Sequence, residues 1–179
     1  MNISVLLPNY VKEKHPNISS LAVGIIFSSY QVFVMITAPI MGSKISSVGR
    51  RKAILIGLIV MTSATAAFAF ASFFENDLVF YSVSFVARAL QGTADSFMLV
   101  AVPSVIAIEW PEKNEVYQGY AAASMGIGLL LGPVIASSLI ETLQYFWTLI
   151  SFAVVIFILG MGAFCFIPKR IDDTAEQQK

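Results

Sequence analysis

Two charged side chains, Arg88 and Asp95, stand well inside an apolar stretch of this chain. Each is disfavoured at mid-bilayer by about 2.5–3.5 kcal/mol on insertion scales, so such residues face a protein interior or a water-filled cavity. They belong to a regular pattern. Tyr81, Ser84, Arg88, Gln91 and Asp95 follow one another at spacings of 3, 4, 3 and 4, which puts all five on one stripe of a helix. The other faces are Phe, Val, Ala and Leu. A polar stripe on an apolar helix suits a helix that lines a cavity. Asp95 could bind a cation or carry a proton, and Arg88 could hold an anionic group or tune a nearby carboxylate. About 10 Å of helix axis separates the two, which argues against direct pairing, although Gln91 could bridge them. The plainer reading is a buried polar network that fixes helix packing. It suits Ser84 and Gln91 as well as a function does, whereas two charges are costly packing devices.

The stretches around this stripe must place it in a membrane. Of 179 residues, 57% are hydrophobic and 12% charged, with a mean hydropathy of +0.78. A soluble domain carries about 25% charged residues, so this chain cannot cover a water-facing surface. Eleven basic residues against eleven acidic ones leave no excess for nucleic acid. Cys165 is the single cysteine, which excludes a disulfide scaffold. Five runs of about 20 or more mostly apolar residues can each cross the hydrocarbon core. They cover 20–41, 53–74, 78–108, 116–139 and 145–167. The third is long enough to tilt, or to bend near Pro103. Short polar connections at 42–52, 75–77, 109–115 and 140–144 hold no soluble domain, and the charged tail 168–179 is expected to fray. Residues 1–8 are apolar but too short to span, like the last turns of a helix whose beginning is absent.

If the five runs alternate, Lys44, Arg50, Arg51, Lys52, Lys113, Lys169, Arg170 and Lys179 share one side, against Lys12 and Lys14 on the other. That asymmetry predicts a cytoplasmic 42–52 loop and C-terminus, with the N-terminal segment outside. The sequon Asn17-Ile18-Ser19 falls on that outer side.

Two further patterns stand out. In the 42–52 loop, Gly42 can end one helix and Gly49 can supply a left-handed turn before the next. In the fourth run, Gly128 and Gly132 are spaced to let another helix backbone approach, and Pro133 removes one backbone hydrogen bond. Plain helix packing accounts for the second pattern as well as any function does.

Together these features resemble the major facilitator superfamily of secondary transporters. Gly42, Gly49, Arg50 and Arg51 match the family's loop signature between helices two and three, with Ser46 and Ser47 in place of its Asp and Arg. Arg88-Ala-Leu-Gln91-Gly92 is similar to its helix-four signature. Gly128, Gly132 and Pro133 resemble the helix-five signature of the proton-coupled antiporters, with Ala136 and Ser137 replacing its last two glycines. The nearest likeness is to the drug:proton antiporters and the vesicular amine transporters.

The resemblance implies an all-α, polytopic membrane bundle: a stub of helix one plus helices two to six of the first six-helix half, over residues 1–167, with a cytoplasmic tail at 168–179. It implies that Arg88, Gln91 and Asp95, with Ser84 and Tyr81 on the same stripe, face substrate or proton. Gly42, Gly49, Arg50 and Arg51 would belong to the inside gate, whose charged latch the serines weaken. Gly128, Gly132 and Pro133 would shape the contact between halves. The family builds its site between two such halves. A fragment that needs a C-terminal half or a partner chain is therefore expected.

The expected function is alternating-access transport of a small organic solute, with Asp95 favouring cations and a proton as the coupling ion. The alternative is a degenerate half-transporter serving as a structural subunit or assembly partner. An enzyme is least favoured: the sole His15 lies in an outer loop, and no catalytic or metal-ligand set stands at membrane depth. No cofactor is expected.

Overall fold

A computed structural model describes residues 3–168, 171 and 172. Among these, five α-helices follow one another: α1 (Ile3–Lys14), α2 (Ser20–Val48), α3 (Arg50–Phe70), α4 (Asp77–Glu109) and α5 (Asn114–Phe166). Helices α2 to α5 are each long and apolar enough to cross a membrane. The 53 residues of α5 are more than twice what one crossing needs, and they break at Gln144, with φ 61° and ψ 169°. Its arms, 114–143 and 145–166, coincide with the fourth and fifth apolar runs. The five-residue connection expected at 140–144 is thus a break at one residue.

Sequence chemistry explains the helix ends. Ser19 accepts from the Ala22 amide and caps α2. The Asn76 side chain accepts from the Leu78 and Val79 amides and caps α4. The 42–52 segment differs from expectation. Helix α2 runs through Gly42 to Val48, and α3 starts at Arg50. Gly49 alone makes the junction, at φ 87°, a backbone conformation that glycine adopts without a Cβ penalty. Gly42 is an exposed helical residue with open space around it and ends nothing. At the N-terminus the helix continues past residue 8 to Lys14, so α1 is longer than the stub expected.

The contacts fix how the helices run. Phe27 meets Arg88 and Tyr30 meets Gly92, so α2 and α4 run parallel. Gly57 meets Ala94 and Arg50 meets Ser104, so α3 runs against them. Phe146 meets Phe70, Gly160 meets Leu58 and Phe164 meets Arg51, so the second arm of α5 runs against α3. These directions give the bundle two distinct ends.

One end carries the basic α2–α3 junction, the α4–α5 link, and Ile171 and Asp172. The expectation that the whole tail frays fails for these two residues. Ile171 is fully buried, and Asp172 reaches the Arg51 amide. The remaining basic tail residues, Lys169, Arg170 and Lys179, lie outside the described residues. The opposite end is locked by polar and aromatic contacts. His15 Nδ1 lies 2.6 Å from Asp77, Asn17 donates to the same carboxylate, and the His15 ring stacks on Phe80. Tyr10 donates to the Ser72 carbonyl and stacks on Tyr145 at 4.0 Å.

Two apolar clusters fill the bundle. Near the His15 end, Leu7, Val23, Ile26, Phe68, Phe80, Ala136 and Leu149 join all five helices. Near the basic end, Met41, Ile45, Ala53, Ile54 and Ala101 join α2, α3 and α4. The outside is also apolar: Leu130, Leu78 and Leu21 are each more than 70% exposed. A surface of this kind is tolerated in hydrocarbon and not in water. The protein is an all-α, multi-pass integral membrane protein.

Candidate functional site

Between the two apolar clusters lies a cavity of about 480 Å³. Helix α4 contributes Arg88, Gln91, Asp95 and Met98; α2 contributes Tyr30; α3 contributes Leu58, Met61 and Thr65. Met125 and Leu129 come from the first arm of α5, and Leu149, Phe152, Ile156 and Gly160 from the second. Residues on both sides of Gln144 therefore face one space, so the chain folds back there.

Glycines let the walls close. A Cβ on Gly92 would overlap the backbone carbonyl of Tyr30, so only glycine allows α4 this near α2. That approach sets the Tyr30 ring over the Arg88 guanidinium at 5.5 Å. Phe27 and Phe68 also flank the guanidinium, at 5.4 and 5.8 Å. The buried Arg88 thus rests among aromatic faces, which attract a cation through their quadrupoles. Its Nη1 donates to Gln91 Oε1 at 3.0 Å, and Gln91 Nε2 donates to Thr65 Oγ1 at 3.0 Å. Thr65 in turn donates to the Met61 carbonyl. The chain of bonds runs from α4 into α3 and holds Arg88 in one pose.

Asp95 lies outside this chain of bonds. Gln91 takes up Arg88 as expected, but it passes the connection to Thr65 and not to Asp95. Asp95 is half-buried in the cavity wall, and its carboxylate interacts with the Tyr30 hydroxyl. Among the described residues no ion pair joins it to Arg88. Two opposite charges about 10 Å apart attract by about 2 kcal/mol at an effective dielectric of 20, too little to neutralise either. The cavity therefore offers one carboxylate to an incoming group, with a cation already fixed beside it.

Of the five stripe residues, three line the cavity and two do not. Ser84 is fully buried, with no partner for its hydroxyl among the described residues, and Tyr81 packs half-buried against the apolar cluster at the His15 end. The stripe spans about 21 Å of axis, which is longer than the cavity. Tyr30 and Thr65 are polar cavity residues that the sequence did not single out; each is a polar side chain within an apolar run, which was the available signal. The helix-five pattern is also only partly engaged. Gly132 and Ala136 are buried, but a Cβ on Gly128 would meet nothing within 4 Å among the described residues.

Replacing Thr65 with Val tests the bonded chain. It leaves the Gln91 amide without its acceptor, at a cost of about 1–3 kcal/mol for an unsatisfied buried group. The expected result is a lower melting temperature for the purified protein, with Thr65→Ser staying near the parent. Equal melting of Thr65→Val and the parent would show that the bond does not hold Arg88.

A family model described as Major Facilitator Superfamily matches residues 1–179. The chain belongs to the major facilitator superfamily. It is similar to the vesicular acetylcholine transporter of Tetronarce californica, 33% identical over 126 residues, which is 69% of this chain and 23% of that protein. The vesicular acetylcholine transporter of Drosophila melanogaster is 34% identical over 122 residues, 67% of this chain and 20% of that protein. The MFS-type transporter SLC18B1 of Rattus norvegicus is 21% identical over 178 residues, 99% of this chain and 39% of that protein. The chain thus spans 20–39% of the length of these three relatives.

Proposed function

We propose that this chain forms part of a secondary transporter that moves a small organic cation by alternating access, in exchange for protons. The observation that carries the reading is the cavity: apolar and methionine-rich walls, with Asp95 as the carboxylate facing the space. Its volume of about 480 Å³ suits a small organic solute. Thioether and aromatic walls solvate an alkylammonium group at little desolvation cost, and one carboxylate supplies the counter-charge. A carboxylate that can hold either a cation or a proton is the simplest device for exchanging them. The relatives named as vesicular acetylcholine transporters point to the same ligand chemistry.

In this reading the five spans are helices two to six of the first transporter half, and the basic end is cytoplasmic. Arg88 and Gln91 shape the site, Asp95 binds, and the junction at Gly49, Arg50 and Arg51 belongs to the inner gate. The first arm of α5, open around Gly126 and Gly128, faces the other half.

The test is flux in proteoliposomes containing the protein made from its complete reading frame. With an acidic interior, labelled choline or tetraethylammonium should accumulate, and a protonophore should collapse the accumulation. No pH-dependent flux of either cation would overturn the cation-exchange reading. The open glycine face on α5 also suits the alternative, a structural subunit. A stable complex with an unrelated membrane protein by native mass measurement, together with no flux, would establish that alternative.

A further inference from the structure

Helix α3 begins in an electrostatically adverse way. Its first three residues are Arg50, Arg51 and Lys52, and its N-cap, Gly49, has no side chain to accept a hydrogen bond. Three cations therefore stand at the positive end of the helix dipole, with no acid in the first turn. Ser46 and Ser47, which precede the junction, lie exposed on the last turn of α2.

The carboxylate that meets this helix end comes from 121 residues further along the chain. Asp172 Oδ1 accepts from the Arg51 amide at 3.3 Å. A Cβ on Gly49 would lie 3.0 Å from Asp172 Oδ2 and 3.1 Å from its Cγ. The Asp172 carboxylate thus fills the place that a capping side chain on residue 49 would take. The residue before it makes an independent attachment. Ile171 is fully buried and lines, with Ile54 of α3, Val105 and Ile106 of α4, and Phe166 and Ile167 at the end of α5, one space at the basic end. The two cations at the junction are also held. The Arg50 Nε donates to Ser104 Oγ at 2.6 Å, and the Arg51 guanidinium lies 4.6 Å over Phe164.

We propose that Asp172 is a positioning residue for the α2–α3 junction. It caps α3 from outside and, with Ile171 as its apolar anchor, ties residues 171 and 172 to the basic end. It supplies the acidic partner that the 42–52 segment lacks. Opening of this end requires the carboxylate to leave the Arg51 amide, because Ile171 and Asp172 join the first turn of α3 to the ends of α4 and α5.

The test does not depend on transport. Ile54, which is buried and lines the same space as Ile171, is replaced by Cys in a Cys165→Ser background, and the protein is placed in nanodiscs open to reagent on both faces. A hydrophilic maleimide should label the parent slowly. Asp172→Ala and Asp172→Leu should label about fivefold faster or more, the scale expected from losing a helix cap. Asp172→Asn keeps an acceptor oxygen for the Arg51 amide and should stay slow. A general packing role for the tail would not separate Leu from Asn in this way, so equal rates for those two variants would overturn the proposal. Should the Ile54→Cys protein fail to fold, hydrogen exchange at the Arg51 amide in the otherwise unaltered chain gives the same reading. Exchange there should quicken in Asp172→Ala, and unchanged exchange would sink the proposal. Labelling that responds to Asp172 in a protein without flux would refute the transport reading alone.

Discussion

Asp95→Asn is expected to abolish pH-driven accumulation of an organic cation while leaving the bundle folded. The substitution keeps the shape of the side chain and its contact with Tyr30, but it removes both the charge and the exchangeable proton. Removing one member of a buried charge pair costs about 2–5 kcal/mol, so cation affinity should fall about 30-fold or more. Loss of coupling should be larger still, because an amide cannot release a proton at any ordinary pH. Two readouts separate these effects: equilibrium binding of the cation in detergent, and flux against a pH gradient in proteoliposomes. Thermal melting should stay close to the parent, since Asp95 is half-buried and forms no ion pair among the described residues. If Asp95→Asn kept pH-driven flux, Asp95 would not be the coupling group. Arg88→Gln makes a contrast: it should impair folding as well, because Arg88 lies among Phe27, Tyr30 and Phe68 and bonds to Gln91.

The second large effect is structural. Gly92→Ala adds one methyl group where α4 meets the backbone of α2 at Tyr30. A side chain could turn aside, but a backbone carbonyl within a helix cannot, so the helices must separate. Overpacking of this kind costs about 1–3 kcal/mol, and helix separation also draws Tyr30 away from Asp95 and Arg88. The purified variant should melt several degrees lower and bind the organic cation more weakly. Gly42→Ala is the matched control. That glycine is helical with nothing within 4 Å of a Cβ, so alanine should be neutral or stabilising by up to about 1 kcal/mol. Equal melting of Gly92→Ala and Gly42→Ala would show that the α2–α4 approach is looser than the structure has it.

These two residues show how differently sequence carries information. Asp95 was legible because charge in an apolar run is conspicuous whatever surrounds it. The role of Gly92 was not, since a glycine in a membrane helix reads the same whether it meets a backbone or open space, as Gly92 and Gly42 do. Tyr30 and Thr65 went unread for a related reason. Their meaning lies in the register between helices: Tyr30 faces α4 because α2 and α4 run parallel with a fixed offset, and Thr65 faces Gln91 because α3 runs against both. Of the five-residue stripe, Arg88, Gln91 and Asp95 line the cavity, while Tyr81 packs against the apolar cluster at the His15 end.

By itself the sequence determined the solvent and the helix that carries the charges. Each of these is a local property, set by runs of apolar side chains and a period of 3.6. It also carried the family through motifs that are contiguous in the chain. Tertiary structure decided which polar residues share a cavity, where the chain turns at Gln144, and which carboxylate meets α3. Contact between residues 51 and 172, or between 30 and 92, depends on how whole helices dock, and no short window of sequence contains that geometry.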